Sequence, residues 1–171
     1  MPLSMYQASV PVFLQMLTAL SAILDKAAEH ARTNGTDPGE LVNARLAPDM
    51  FPLARQVQIA TDHAKGAAAR LSGRDVPKYE DKESSFEELK ARIAKTLDFV
   101  SSVEVGEIDG SEGKEITLTT GGQQRTFDGQ HYLMHFALPN FFFHVTTAYD
   151  ILRHNGVAIG KRDFMGASLA R

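Results

Sequence analysis

The sequence predicts an all-α protein: a four-helix bundle with a short crossing helix and a small β-hairpin inserted between the third and fourth long helices. Three observations carry this reading. Three stretches place apolar residues at spacings of three and four, the repeat of one helical face, and a fourth is apolar on nearly every side. Each stretch is closed by a stop such as Asn34-Gly35 or Ser72-Gly73. One segment alone, "KEITLTTGGQQRTF", switches to a period of two around a glycine pair.

The first long helix is expected from about Ser4, its N-cap, to Thr33. Val10, Leu14, Leu17, Ser21, Leu24, Ala28 and Ala31 form its predicted core stripe, and Pro11 should kink or restart it. "DPGELVNAR" then starts a short crossing helix: Asp37 caps, Pro38 takes the first helical position, and Glu40 suits a capping box. The two prolines of "LAPDMFP" end it. The second long helix runs from about Phe51 to Leu71 and buries Leu53, Val57, Ala60, Ala64, Ala67 and Leu71. His63 lies on the flank of that stripe, roughly 80° from its centre. After a polar loop over residues 73 to 83, the third helix begins at Ser84 or Ser85, with Glu87 and Glu88 placed for a capping box. Its apolar face is Phe86, Leu89, Ile93, Leu97, Val100 and Val103, and it stops before Gly106.

Ile116 and Leu118 alternate with polar residues before Gly121-Gly122, which suits a turn needing positive φ twice. A lone hairpin is marginal in water, so this one must lie on the helices or on a partner chain. The fourth helix spans Asp128 to Gly156 and is expected to bend at Pro139. From Phe141 to Leu152 it is apolar on nearly every side, which predicts burial all round and contact with a second subunit, hence a homodimer. The tail "VAIGKRDFMGASLAR" reads as irregular, with Phe164 folding back onto the bundle. Residues 1–171 read as a single domain.

Composition narrows the function classes. An apolar fraction of 43% and a charged fraction of 23% are those of a soluble globular chain. A net charge of −3 gives no reason to expect nucleic acid or an anionic membrane as partner. The sequence has no cysteine, which removes disulfides, thiolate ligands and a cysteine nucleophile, and it fits a reducing cytoplasm. "MPLSMYQASVPVFLQML" lacks a basic segment and a cleavage site, so it does not read as a signal peptide. No uninterrupted apolar run reaches the length of a bilayer. There is no glycine-rich phosphate loop, so no nucleotide cofactor is expected, and no G-x-S-x-G nucleophile elbow.

The chemistry concentrates in "NFFFHVTTAYDILRHNG", residues 140 to 156. Asn140 and His144 are four apart and share one helical face; His131 and His135 share another, roughly 180° away on a straight helix. Imidazoles on one turn are a common beginning of a metal site in a bundle, but a third ligand must come from another helix, and His63 is the candidate. Each histidine also has an ordinary explanation. His144, among phenylalanines, is satisfied by one backbone hydrogen bond, and His30 and His154 suit helix C-termini. Tyr149 either orients a substrate or packs in the core with its hydroxyl satisfied.

"LAPDMFPLARQVQIATDHAKGAAARLSG" and "FALPNFFFHVTTAYDILRHNGVAIGKRDFMG" resemble an uncharacterised bacterial family, a domain of unknown function grouped with the DinB/YfiT-like superfamily of metalloenzymes. The resemblance covers nearly the whole chain. It implies an up-down-down-up four-helix bundle and, commonly, a homodimer. Characterised members of the wider superfamily bind a divalent metal (Zn, Ni or Fe here) through three histidines, one on the second helix and two on the last. Some are thiol-dependent transferases or isomerases. By position, His63 matches the helix-2 ligand and His144 one of the last pair. Asn140 stands where the other histidine is expected, a weaker ligand for such metals. The resemblance therefore implies a pocket of His63, Asn140, His144 and Tyr149, hydrolysis or group transfer on a small molecule, and, as the alternative, a non-enzymatic dimeric bundle with a vestigial site.

Overall fold

The helix starts and stops of the sequence recur at nearly the expected places in the computed structural model, which describes residues 3–166. In chain order the elements are α1 (Val10–Asn34), α2 (Pro38–Val42), α3 (Leu53–Ser72), α4 (Phe86–Ser101), α5 (Val105–Ile108), β1 (Glu115–Thr120), β2 (Gln123–Asp128), α6 (Gly129–Tyr132), a wide π turn at Leu133–Ala137, α7 (Leu138–His154) and α8 (Lys161–Met165). The caps of the crossing helix and the third long helix act as read, without the expected capping boxes: Glu88 accepts from Ser84 N instead. Asp37 accepts from Gly39 N, Ser85 from Glu88 N and Asp128 from His131 N. Gly35 and Gly73 close α1 and α3 in the left-handed conformation.

Contacts along the helices fix their directions. Gln58, near the start of α3, bonds Glu83 just before α4, while Arg74 after α3 bonds Ser102 after α4. These two helices are therefore parallel. Lys90 early in α4 pairs with Asp25 late in α1, so that pair is antiparallel. Gln56 meets His144 and Arg70 meets Tyr132, so α3 and α7 are antiparallel. Phe13 packs edge-on against Phe141 at 4.9 Å, and His30 lies beside Gly156, so α1 and α7 are parallel. The result is an up-down-down-up bundle whose helices follow the ring order α1, α4, α3, α7.

Several expectations change. α1 begins at Val10 rather than near Ser4, because Pro11, which has no N–H to donate, occupies the first turn and starts the helix instead of kinking it. Its buried arc is wider than one stripe. Phe13, Met16, Leu20, Ile23 and Ala27 are buried, while Leu14, Ser21 and Ala28 form the half-buried edge. The reason is that α1 packs against both α4 and α7. As a whole α1 is also long and apolar enough to cross a membrane, although half of its most apolar window is buried within the bundle. The fourth long helix is not buried all round. Phe142 and Phe143 are 36% and 55% exposed, because α3 and α1 cover only two sides of α7. Pro139 sits in the first turn of α7, directly after the π turn, so the expected bend becomes a widened turn.

Gly121 and Gly122 have φ of 58° and 74° and close the hairpin in the register Thr120↔Gln123. Ile116 on its inner face is buried in the chain's own core, so the hairpin packs within its subunit. The tail is more ordered than expected. Val157 and Ile159 are buried, and α8 brings Phe164 onto Tyr149 with ring centroids 5.8 Å apart. The last part of the tail, 167–171, lies outside the described residues.

Candidate functional site

Three polar side chains recur every seven residues along α3: Gln56, His63 and Arg70. A seven-residue step returns nearly to the same helical face, so the three form one row. The row opposes the π turn and α7, and antiparallel packing sets Gln56 against His144, His63 against Phe136 and Arg70 against Tyr132. A polar seam therefore runs between two helices that otherwise meet through hydrocarbon.

At its centre the His63 and His144 rings have centroids 6.0 Å apart and nearly parallel planes, 13° between them. Phe136 stands edge-on to His63 at 5.9 Å and Phe143 edge-on to His144 at 5.2 Å. His144 is buried and His63 half-buried. Gln56 fixes the tautomer of His144. Its Nε2 donates to Phe51 O at 3.0 Å, so Oε1 is the atom facing His144 Nδ1 at 2.7 Å and accepts its proton. His144 Nε2 then carries the lone pair. Among the described residues no group bonds either nitrogen of His63, and the only sealed, unpartnered side-chain polar atoms are Tyr79 Oη and Ser111 Oγ. The free imidazole nitrogens are consequently open to solvent.

The remaining expected residues are placed differently. Asn140 Nδ2 donates to Phe136 O at 2.7 Å, so its amide nitrogen serves the π turn and only Oδ1 is uncommitted. Tyr149 is not brought to the pair. Five residues past His144, its side chain lies about 140° further round the helix, against Phe164. His131 and His135 pack against each other with centroids 4.6 Å apart and planes tilted by 36°, but on the exposed surface beside the hairpin. Among the described residues no three His, Cys, Asp or Glu side chains are grouped to hold a metal ion. Gln56 and Arg70 went unnoticed in the sequence. Their signal was the seven-residue step from His63 on the edge of an apolar stripe.

Both histidines are poised to be neutral. Burial pushes His63 down to about 4; the neighbouring His144 adds to this, as do Arg70 and Lys65, while Asp62 opposes. Burial also lowers His144 to about 4, with the Arg55 charge second. The unfolded chain binds these protons near the ordinary value of about 6.5, whereas the folded chain does not bind them until about 4. The unfolded state thus gains protons first on acidification. The contribution is full above about pH 6.5 and is lost as pH falls towards the folded values. Unfolding free energy measured with chelator present should fall between pH 7 and pH 5, by on the order of 1–2 kcal/mol per histidine. The double variant His63→Gln/His144→Gln should lose most of that slope. Proton resonances of the two rings titrating at the ordinary value would contradict the assignment.

Fold and site together define a helical bundle of the DinB kind, with a paired-imidazole seam between two antiparallel helices. The chain belongs to the family described as a domain of unknown function, DUF1993, matched over residues 5–165. It is similar to a crystal structure of a DinB family member protein from Shewanella denitrificans, at 40% sequence identity and a TM-score of 0.88, covering 97% of this chain and 94% of that one. No curated protein matches the chain.

Proposed function

We propose that the chain holds a divalent metal (Zn, Ni or Fe) between α3 and α7 and acts on a small molecule as a hydrolase or group transferase. The observation that carries this is the meeting of two neutral imidazoles from separate helices, 6.0 Å apart, each with a free nitrogen. Neutral imidazole is the form that ligates, and a hydrogen bond at Nδ1 that orients the ring is the usual support of a ligating Nε2. His63 and His144 would hold the ion, with the uncommitted Oδ1 of Asn140 as a weak third donor. A bound divalent ion would supply Lewis acidity. Gln56 keeps His144 in the ligating tautomer, and Phe136 and Phe143 flank the rings edge-on.

A second reading has its own support. With the Asn140 amide nitrogen engaged by Phe136 O and no third ionisable donor grouped with the histidines among the described residues, the site also suits a vestigial centre in a non-enzymatic bundle. The exposed Phe142 and Phe143 would then serve a homodimer contact. Elemental analysis of untagged protein separates the two. The metal reading expects close to one ion per chain, and loss of it in both His63→Ala and His144→Ala with the helical fold intact. Metal-free wild-type protein from metal-replete growth, or unchanged content in the variants, would remove it. Light scattering reports the dimer independently.

A further inference from the structure

Four of the described arginines are not fully exposed: Arg55, Arg70, Arg74 and Arg92. Three of them hold carboxylates. Arg55 pairs with Asp81, Arg74 with Glu107, and Arg92 with Asp62, Asp81 and Glu83. Arg70 holds none within ion-pair distance among the described residues, and it stands in the same row as His63. A guanidinium has five N–H donors. Among the described residues the one acceptor of Arg70 is the Tyr132 hydroxyl, at 3.1 Å from Nη1. No nitrogen of Arg70 is among the sealed, unpartnered atoms, so its spare donors face solvent.

The guanidinium is also placed, not merely free. Side chains on a helix lean towards its N-terminus, so Arg70 reaches back from its own turn towards that of His63. Gly66 lies one turn back, and a Cβ there would collide with Arg70 Nη1. The missing side chain at Gly66 is what lets the guanidinium lie across the helix. The Tyr132 ring flanks it, with Arg70 Cζ 5.9 Å from the ring centroid, and Tyr132 in turn packs on Phe136, which touches His63. Burial raises the pKa of the Tyr132 hydroxyl, so it keeps its proton while accepting from Arg70.

We infer that Arg70 makes this seam an anion-binding site, so that the small molecule taken between α3 and α7 carries a carboxylate or phosphate group held by the Arg70 guanidinium beside His63. The inference rests on the pocket proposed above but not on a metal being in it. A planar fork of N–H donors without a protein carboxylate fits both oxyanions. The third member of the heptad row would thus fix the substrate, while the other two set the imidazoles.

Calorimetric titration of the protein as purified, with inorganic phosphate and separately with acetate, tests this and tells the two oxyanions apart. Saturable binding of one or both in the millimolar range is expected. Arg70→Gln should weaken it tenfold or more, equivalent to about 1.4 kcal/mol, and Arg70→Lys should retain part of it. Gly66→Ala keeps the charge but displaces the guanidinium. It should weaken binding without loss of thermal stability, since alanine favours a helix interior over glycine. Absence of saturable binding of either anion, or equal affinity in Arg70→Gln, overturns the inference. Metal content measured on the same samples keeps the readings apart. Phosphate binding in metal-free protein that disappears in Arg70→Gln supports the anion site while removing the metal reading. Metal present in both proteins with no anion bound does the reverse.

Discussion

Arg92→Ala is expected to cost about 2–3 kcal/mol of folding stability: the guanidinium is buried, but Asp62 and Asp81 are 36% and 40% exposed and Glu83 13%, so water compensates part of the charge that a fully buried pair would leave stranded. The Arg92 side chain is 2% exposed. Its Nε donates to Thr61 Oγ1 at 2.7 Å, and its terminal nitrogens reach Asp62 at 2.8 Å, Asp81 at 3.0 Å and Glu83 at 3.1 Å. Truncation would leave those carboxylates without the cation that gathers them. The topology explains why so much converges on one residue. α3 and α4 are parallel, so residues 73–85 must return the chain along α3, whose 20 residues span about 30 Å. Thirteen residues can cover that distance in extended form but have little helix or sheet structure to hold them. Arg92 joins α4 to both the return segment and α3. Arg92→Ala should therefore lower Tm by roughly 10 °C and open residues 73–85 to limited proteolysis. Arg92→Lys should recover only part of the loss, since an ammonium lacks the fork that serves Thr61 and the carboxylates together. A loss of less than about 1 kcal/mol in the alanine variant would show that the network is solvated.

Gly129→Ala is expected to destabilise by about 2–4 kcal/mol, a severe overpacking effect. A Cβ at this first residue of α6 would overlap the Ser111 carbonyl oxygen and come within 3.1 Å of its carbon. Both are backbone atoms, so no side-chain rotation relieves the clash. Ser111 is held on both sides: its N donates to Ile108 O and its O accepts from Lys114 N, while Gln130 N next to Gly129 donates to Glu112 O at 2.9 Å. To make room, α6 must lift from the 111–114 turn, taking the π turn and the register of α7 with it. The same variant should thus also perturb the His63–His144 pair, visible in the ring resonances. Gly106→Ala is the control, with open space around it in α5, and should be neutral or slightly stabilising. Equal stability of the Gly129 and Gly106 variants by urea titration would refute the clash.

The difference between what was and was not legible lies in the range of the causes. Asp37, Ser85 and Asp128 cap their helices as read because the interactions span three residues or fewer. The Leu53-to-Leu71 stripe of α3 is buried as read because one helix face suffices to hide it. The outer face of α7 failed as a prediction because apolar composition does not say how many neighbours a helix finds, and Phe143 stays 55% exposed. His63 and His144 were candidates from their helical positions, and a resemblance matched them to a pair of ligands. Gln56 and Arg70 were overlooked because each looks like an ordinary surface residue until a facing helix gives it a partner.

By itself the sequence determined the four long helices, their stops and all but the first of their starts, the hairpin between the third and fourth, and the lack of any cysteine chemistry. Those follow from periodicity and turn chemistry over a few residues. Only the tertiary structure decided that α3 and α7 run antiparallel in the register that sets Gln56 on His144 and leaves Arg70 without a carboxylate among the described residues. That register is set by the summed packing of the whole interface and by the π turn before Pro139, and no local stretch of sequence encodes either.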